Sequence, residues 1–86
     1  VTLRFTGDKF RLHFVLFKNF GMFDIYIDNH KLMTIDAYSP YSGFGTTEVI
    51  QIEPGRHTMR IVNTGEANDA STGHVIGLDA IDIWNE

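Results

Sequence analysis

Residues 1–16, VTLRFTGDKFRLHFVL, decide the fold class, because apolar and polar side chains alternate along almost all of them. The apolar residues fall at odd positions up to Phe5 and at even positions from Phe10 onward. A period of two is typical of half-buried β-strands. Gly7 and Asp8 separate the two runs and favour a tight turn. The stretch therefore predicts a β-hairpin that turns at Gly7 and Asp8.

The same period of two continues along the rest of the chain, and no stretch shows helical spacing for two turns. Turns are predicted at residues 28–30, where Asx residues tolerate positive φ, and at residues 53–55, where Pro and Gly are adjacent. Seven short strands without helices predict an all-β fold, an antiparallel β-sandwich or barrel. The later strands are predicted at residues 23–27, 32–36, 46–52, 56–63 and 74–84.

The composition suits one globular domain over residues 1–86 and excludes several classes of function. The chain is 43% hydrophobic, has a net charge of −4 and contains no basic run, so no nucleic-acid partner is expected. The absence of cysteine excludes disulfide scaffolds, thiol catalysis and zinc-thiolate sites. No apolar stretch is long enough for a membrane span. Because the first residue is Val1 and no leader precedes it, we expect a processed protein or a domain of a longer chain.

Three long loops are predicted to meet at one end of the fold, because strands that reverse direction place alternate connections at the same end. These loops cover residues 18–22, 37–45 and 64–73. Aromatic faces stack on sugar rings, while amides and carboxylates bind sugar hydroxyls, so the mixture of side chains in the loops favours a carbohydrate ligand. The candidate binding residues are Asn19, Phe20, Tyr38, Tyr41, Phe44, Asn68 and Asp69. Of the aromatic residues in the middle loop, Tyr38 is expected to be structural, and Tyr41 and Phe44 to be exposed.

No catalytic or transition-metal pattern is present. The four histidines show no ligand spacing, and the loop serines have no nucleophile elbow, so the chain is not expected to be an enzyme. Calcium remains an open possibility, because Asp36, Glu66 and Asp69 could meet where the loops gather.

Two polar residues in apolar strands are assigned structural roles. His57 alternates with Met59 and Ile61, so its neutral ring is expected to point inward or lie at the sheet rim with a hydrogen-bond partner. The apolar face of the last strand switches near Asp79, which predicts either a β-bulge or burial of both faces. Asp79 itself is expected to accept hydrogen bonds from backbone N–H groups of a neighbouring turn.

The order of five short runs along the chain resembles the galactose-binding-like jelly-roll modules, which are similar to carbohydrate-binding modules of bacterial glycoside hydrolases and surface proteins. The resemblance spans nearly the whole chain. The runs are VTLRFTG at residues 1–7, FDIYID at 23–28, TIDAYS at 34–39, PGRHTMRI at 54–61 and IGLDAI at 76–81.

The resemblance implies a jelly-roll β-sandwich and a non-catalytic bacterial module, located outside the cell or at its surface, whose ligand binds at the loop end. Such modules usually carry one or two strands before the strand that begins here at Val1. An edge left open in this way invites strand addition from another chain. The alternative hypothesis is therefore a structural or adhesive repeat of a fibre or stalk, assembled by strand addition between copies.

Overall fold

The computed structural model describes residues 1–85 and confirms an all-β fold, with no helix among those residues and hence none that could cross a membrane. The strands are β1 (Thr2–Leu16), β2 (Met22–Ile27), β3 (His30–Asp36), β4 (Gly43–Thr46), β5 (Ile50–Asn63) and β6 (Leu78–Trp84). These six strands form one antiparallel sheet in the order β3-β2-β5-β1-β4, and β6 pairs with the other side of β1.

Strand β1 pairs along its whole length with a single later stretch of chain, residues 43–63. Thr2 lies opposite Arg60 at one end, and Leu16 lies opposite Gly43 at the other. Thr47 joins the two parts of the later stretch, because its N–H donates to the Leu12 carbonyl and its Oγ1 accepts from the Leu12 N–H at 3.0 Å. β4 and β5 therefore act as one irregular strand against β1.

The predicted turns at Gly7-Asp8 and Pro54-Gly55 are wrong, because both segments lie inside strands and oppose each other. Gly7 pairs with Gly55, and the next pair is Lys9 with Gln51, so three residues of β5 lie opposite Asp8. Gly55 adopts a φ of 131°, which suits glycine. The residue types that favour a tight turn also favour a β-bulge, and here they form the bulge.

The strand boundaries change accordingly, and the structure has six strands where seven were predicted. The two predicted strands before and after Gly7 are one strand, β1. The predicted strand 46–52 is divided between β4 and β5, and β5 continues through the predicted turn at 53–55. The last strand begins at Leu78 and not at residue 74.

The sheet bends back on itself at the bulge. Phe14 lies opposite Gly45 and Phe23 opposite Asn63, eighteen residues apart along residues 43–63. In a flat sheet this separation would be about 60 Å. The two rings are nevertheless 5.6 Å apart, edge to face, so the two ends of the long pairing face each other. The fully enclosed core between them consists of Phe10, Leu12, Phe14, Phe23, Ile25, Ile27, Ala37, Met59 and Ile61.

Two local predictions are confirmed, and one side-chain role is not. Asp28 and Asn29 connect β2 to β3 with φ values of 51° and 68°, as a two-residue turn with positive φ at both positions requires. The bulge near Asp79 is also present, because His13 pairs with Ala80 while Phe14 pairs with Leu78. The role of Asp79 as a buried acceptor is wrong, because the bulge directs it to solvent and it is exposed.

Gly7→Ala should lower the free energy of unfolding by about 1–3 kcal/mol, because an added Cβ would lie 2.6 Å from the backbone oxygen of Trp84. Gly43→Ala is the matched control in a strand, because a Cβ there has no atom within 4 Å. It should leave stability unchanged or raise it by up to about 1 kcal/mol. Urea unfolding followed by tryptophan fluorescence measures both, and equal stability of the two variants would contradict the close approach of β6 to Gly7.

Candidate functional site

The predicted gathering of the long loops is confirmed by backbone hydrogen bonds between them. The N–H of Ala37 donates to the carbonyl of Gly21 at 3.1 Å, and the N–H of Thr72 donates to the carbonyl of Lys18 at 2.9 Å. The Ser71 hydroxyl also donates a hydrogen bond of 2.8 Å to the Phe20 carbonyl oxygen, which links the loops 64–73 and 18–22. The three loops are therefore held as one unit at the end of the sheet.

Three of the predicted binding residues, Phe20, Tyr38 and Asn68, contribute to holding this unit together. Phe20 and Tyr38 are half-buried, since Phe20 packs on the core and Tyr38 forms a parallel bridge with Phe17. The Asn68 side chain donates to Asp36 at 3.1 Å and so links two loops. Asn19 is half-buried, and its buried Oδ1 has no hydrogen-bond partner among residues 1–85.

The other two aromatic candidates are exposed, as predicted. Tyr41 is 79% exposed and Phe44 is 72% exposed. Tyr41 precedes β4, whereas Phe44 lies within β4 opposite Val15 and not in the loop where it was predicted. Because three residues span at most about 10 Å of backbone, the two residues lie close together along the chain, and the pair is called here the aromatic surface. Asp69, the last predicted binding residue, is also exposed.

The open possibility of a calcium site at Asp36, Glu66 and Asp69 finds no support in the geometry. No three His, Asp or Glu side chains among residues 1–85 converge on a common point. The Asp36 carboxylate instead accepts hydrogen bonds from the Tyr38 N–H at 3.0 Å and from Asn68. Its oxygens serve the packing of the loops.

At the opposite end, His57 connects the β2–β3 turn to the bulge of β5. Its Nδ1 lies 2.6 Å from Asp28 Oδ2, and its Nε2 contacts the Glu53 carbonyl oxygen. Both partners are acceptors, so both ring nitrogens must carry a proton. The hydrogen bonds that His57 donates to Asp28 and to the Glu53 carbonyl accordingly raise the pKa of His57. Those that Asp28 accepts from the Thr58 N–H and from His57 lower the pKa of Asp28. The prediction that His57 points inward or lies at the sheet rim with a hydrogen-bond partner is confirmed, with 9% of its side chain exposed, but the ring is not the neutral one that was expected.

A second ionic cluster ties β6 to β1. Asp82 Oδ2 lies 2.7 Å from His13 Nε2 and 2.9 Å from Arg11 Nη2. These hydrogen bonds lower the pKa of Asp82, and the bond with His13 has the larger effect. The guanidinium of Arg11 also lies over the Trp84 ring at 5.8 Å. The cluster links the side chains of β1 and β6 and so stabilises the pairing of these two strands.

Two cavities lie away from the aromatic surface, and neither Tyr41 nor Phe44 lines them. One, of about 210 Å³, lies between the start of β1 and β6, where Leu3 and Leu78 border the core residue Met59. Beside it the edge of β1 is open over residues 2–6 as far as residues 1–85 show, because these residues pair with β5 on one side and β6 pairs from Lys9 onward. The other cavity, of about 390 Å³, is lined by Arg4, Phe5, Thr6, Arg56, His57 and Thr58.

The second cavity belongs to a feature that the sequence did not predict. Arg4, Arg56 and Arg60 are exposed on one face of the paired strands β1 and β5, and this set is called here the arginine face. Its signal in the sequence is a period-two spacing of Arg and Thr in both strands, but the alignment of the strands is needed to place them together.

A search of protein-family models, curated proteins and solved structures finds no match to this chain. Function is therefore inferred from the chain's own residues.

The stabilisation from the Asp28–His57 pair should be greatest between the two ordinary pKa values, 3.8 for Asp and 6.5 for His. Because the pKa of His57 is raised, its contribution to the free energy of unfolding is fully present below pH 6.5 and is lost as the pH rises through the raised pKa. Because the pKa of Asp28 is lowered, its contribution is fully present above pH 3.8 and is lost as the pH falls through the lowered pKa.

Urea unfolding from pH 3 to pH 9 measures this effect in the wild type and in His57→Gln. The difference between the two should shrink as the pH rises above neutrality. The exposed His74→Gln serves as control and should follow the wild type. If the difference in the free energy of unfolding between the wild type and His57→Gln grew with rising pH, this would contradict a His57 ring that carries a proton on both nitrogens.

Proposed function

We propose that this chain is a non-catalytic carbohydrate-binding module, of the antiparallel β-sandwich, galactose-binding-like jelly-roll type, that acts outside the cell or at a bacterial cell surface. The observation that carries the proposal is the exposure of Tyr41 and Phe44, at 79% and 72%, beside loops that are otherwise tied together. Exposed apolar residues that form a contiguous patch with a polar rim are typical of interaction sites.

The chemistry of a sugar suits such a surface. Pyranose rings present apolar C–H faces that stack on aromatic rings, and a rigid ring loses little conformational entropy on binding. Because neither ring lines either of the two cavities described above, the surface favours contact along a polysaccharide chain over enclosure of one small sugar. The exposed Ser42 and Asp69 of the neighbouring loops offer hydrogen-bonding groups to hydroxyls.

The proposal of a sandwich topology is based on the bend of the sheet. The contact of Phe14 with Phe23 places two parts of one sheet face to face, with apolar side chains between them, as two packed layers do. Bulges of the kind at Gly7 and Gly55 allow a strand to pass from one layer to the other.

Tyr41→Ala and Phe44→Ala should each weaken binding to an insoluble or soluble polysaccharide by at least about tenfold, or ~1.4 kcal/mol, and leave the melting temperature nearly unchanged. Leu32→Ala is the control, because Leu32 is an exposed apolar residue on a different strand. Affinity electrophoresis in gels that contain single polysaccharides, followed by calorimetry, provides the measurement. Wild-type affinity in both aromatic variants would refute the site.

A second candidate function is favoured by the open edge of β1 beside the apolar cavity. An added strand could pair with residues 2–6 and insert an apolar side chain between Leu3 and Leu78. Supplied by a neighbouring copy, this strand would build the structural or adhesive repeat of a fibre.

Such assembly should appear as a mass that grows with concentration in size-exclusion chromatography with light scattering. Val1→Asp should reduce it, because Val1 lines the cavity and is 75% exposed. Val49→Asp adds the same charge at an exposed residue outside the cavity and should have no effect. A steady monomer of wild type across the concentration series would refute assembly.

A further inference from the structure

The arginine face is built by the register of β1 against β5. Arg4 lies opposite Thr58, Thr6 opposite Arg56 and Thr2 opposite Arg60. Side chains of paired residues share one face, so three arginines and three threonines alternate in both directions across two strands. Each arginine thus has threonines, and not another arginine, directly beside it. Arg4 is diagonal to both Arg56 and Arg60, at about 7–8 Å between backbones.

Two of the carboxylates near this face are already engaged, and a third, Glu53, acts on His57 at the cavity. Asp28 is bonded to His57 and to the Thr58 N–H, while Asp24 accepts from Thr34 and lies 3.6 Å from Lys31 Nζ. Arg4 and Arg56 form no ion pair with any residue in 1–85. The face therefore carries positive charge without internal neutralisation.

This charge is local. The whole chain has a net charge of −4, yet three of its seven Lys and Arg residues lie on this face. An acidic protein that gathers arginines around a cavity of about 390 Å³ concentrates its attraction for anions at one place. Guanidinium groups bind planar or tetrahedral oxyanions through two parallel hydrogen bonds, and threonine hydroxyls add further donors.

We propose that the arginine face is a second binding site, separate from the aromatic surface, for the sulfate or carboxylate groups of an acidic polysaccharide. Arg4 and Arg56 hold the anionic group at the cavity. Thr6 and Thr58, which alternate with them, bond the sugar hydroxyls between charged groups. This site does not depend on Tyr41 or Phe44, since neither lines the cavity.

A single-stranded nucleic acid fits this face less well than an acidic sugar chain. Proteins that bind single strands combine positive charge with free aromatic rings on which bases stack. Tyr26 lies on this face, but the Arg60 guanidinium already covers its ring at 4.8 Å. Alternating arginines and hydroxyls match a chain in which charged groups and hydroxyls alternate.

The test uses dextran sulfate, alginate, unsulfated dextran and an oligothymidylate as probes, with affinities measured by biolayer interferometry at several salt concentrations. The wild type should bind dextran sulfate or alginate, more weakly as salt rises, and should not bind unsulfated dextran at this face. Arg4→Gln/Arg56→Gln should lose at least about tenfold in affinity. Arg4→Lys/Arg56→Lys should recover part of it, because charge is kept but the paired hydrogen bonds are lost.

The control for charge alone is Lys18→Gln, an exposed cation on a loop away from this face. It should bind as the wild type does. Equal losses in Lys18→Gln and in a single Arg4→Gln variant would overturn the proposal in favour of a general charge effect. Absence of binding to both acidic polysaccharides, or tighter binding of oligothymidylate through the same arginines, would also overturn it.

Discussion

The pairing of β1 with residues 43–63 is the constraint on which the rest of the structure depends. On the side of β5 that faces away from β1, β2 pairs with β5 and β3 pairs with β2. On the side of β1 that faces away from β5, β6 pairs with β1, so every strand connects to this pair directly or through one neighbour. The bulge at Gly7 and Gly55 then bends the pair, and the bend brings Phe14 onto Phe23. Without the bend the apolar residues of the two halves would lie far apart on one open face, and the core would not close.

The sequence predicts most of what is local in this fold. A period of two predicts strands, the Asp28-Asn29 pair predicts a tight turn, and the change of parity around Asp79 predicts a bulge, because each signal depends on neighbouring residues. The turns expected at Gly7-Asp8 and Pro54-Gly55 were wrong for a reason that no single segment reveals. Gly and Pro interrupt strand pairing in both a turn and a bulge, and the partner strand decides which one forms.

The same limit applies to the candidate sites. Exposure of Tyr41 and Phe44 could be predicted, because glycine and serine surround them and offer little apolar cover. The scaffold role of Asn68 could not, because its partner Asp36 is far away in the chain. The arginine face depends on the alignment of Arg4 with Thr58, and alternation determines which face a side chain takes but not which residue lies opposite.

The position of β1 also governs when the chain can fold. Its nearest pairing partner along the chain, Gly43, follows its last residue by 27 positions, and its other end pairs with Arg60. Pairings of such long sequence separation form slowly, since a large loop must close before any contact compensates for it. During synthesis β1 is made before all of its partners, so Phe10, Leu12 and Phe14 remain in contact with water until β5 and β6 have emerged. The centre of the finished sheet is thus the segment most exposed to aggregation while the protein is being made.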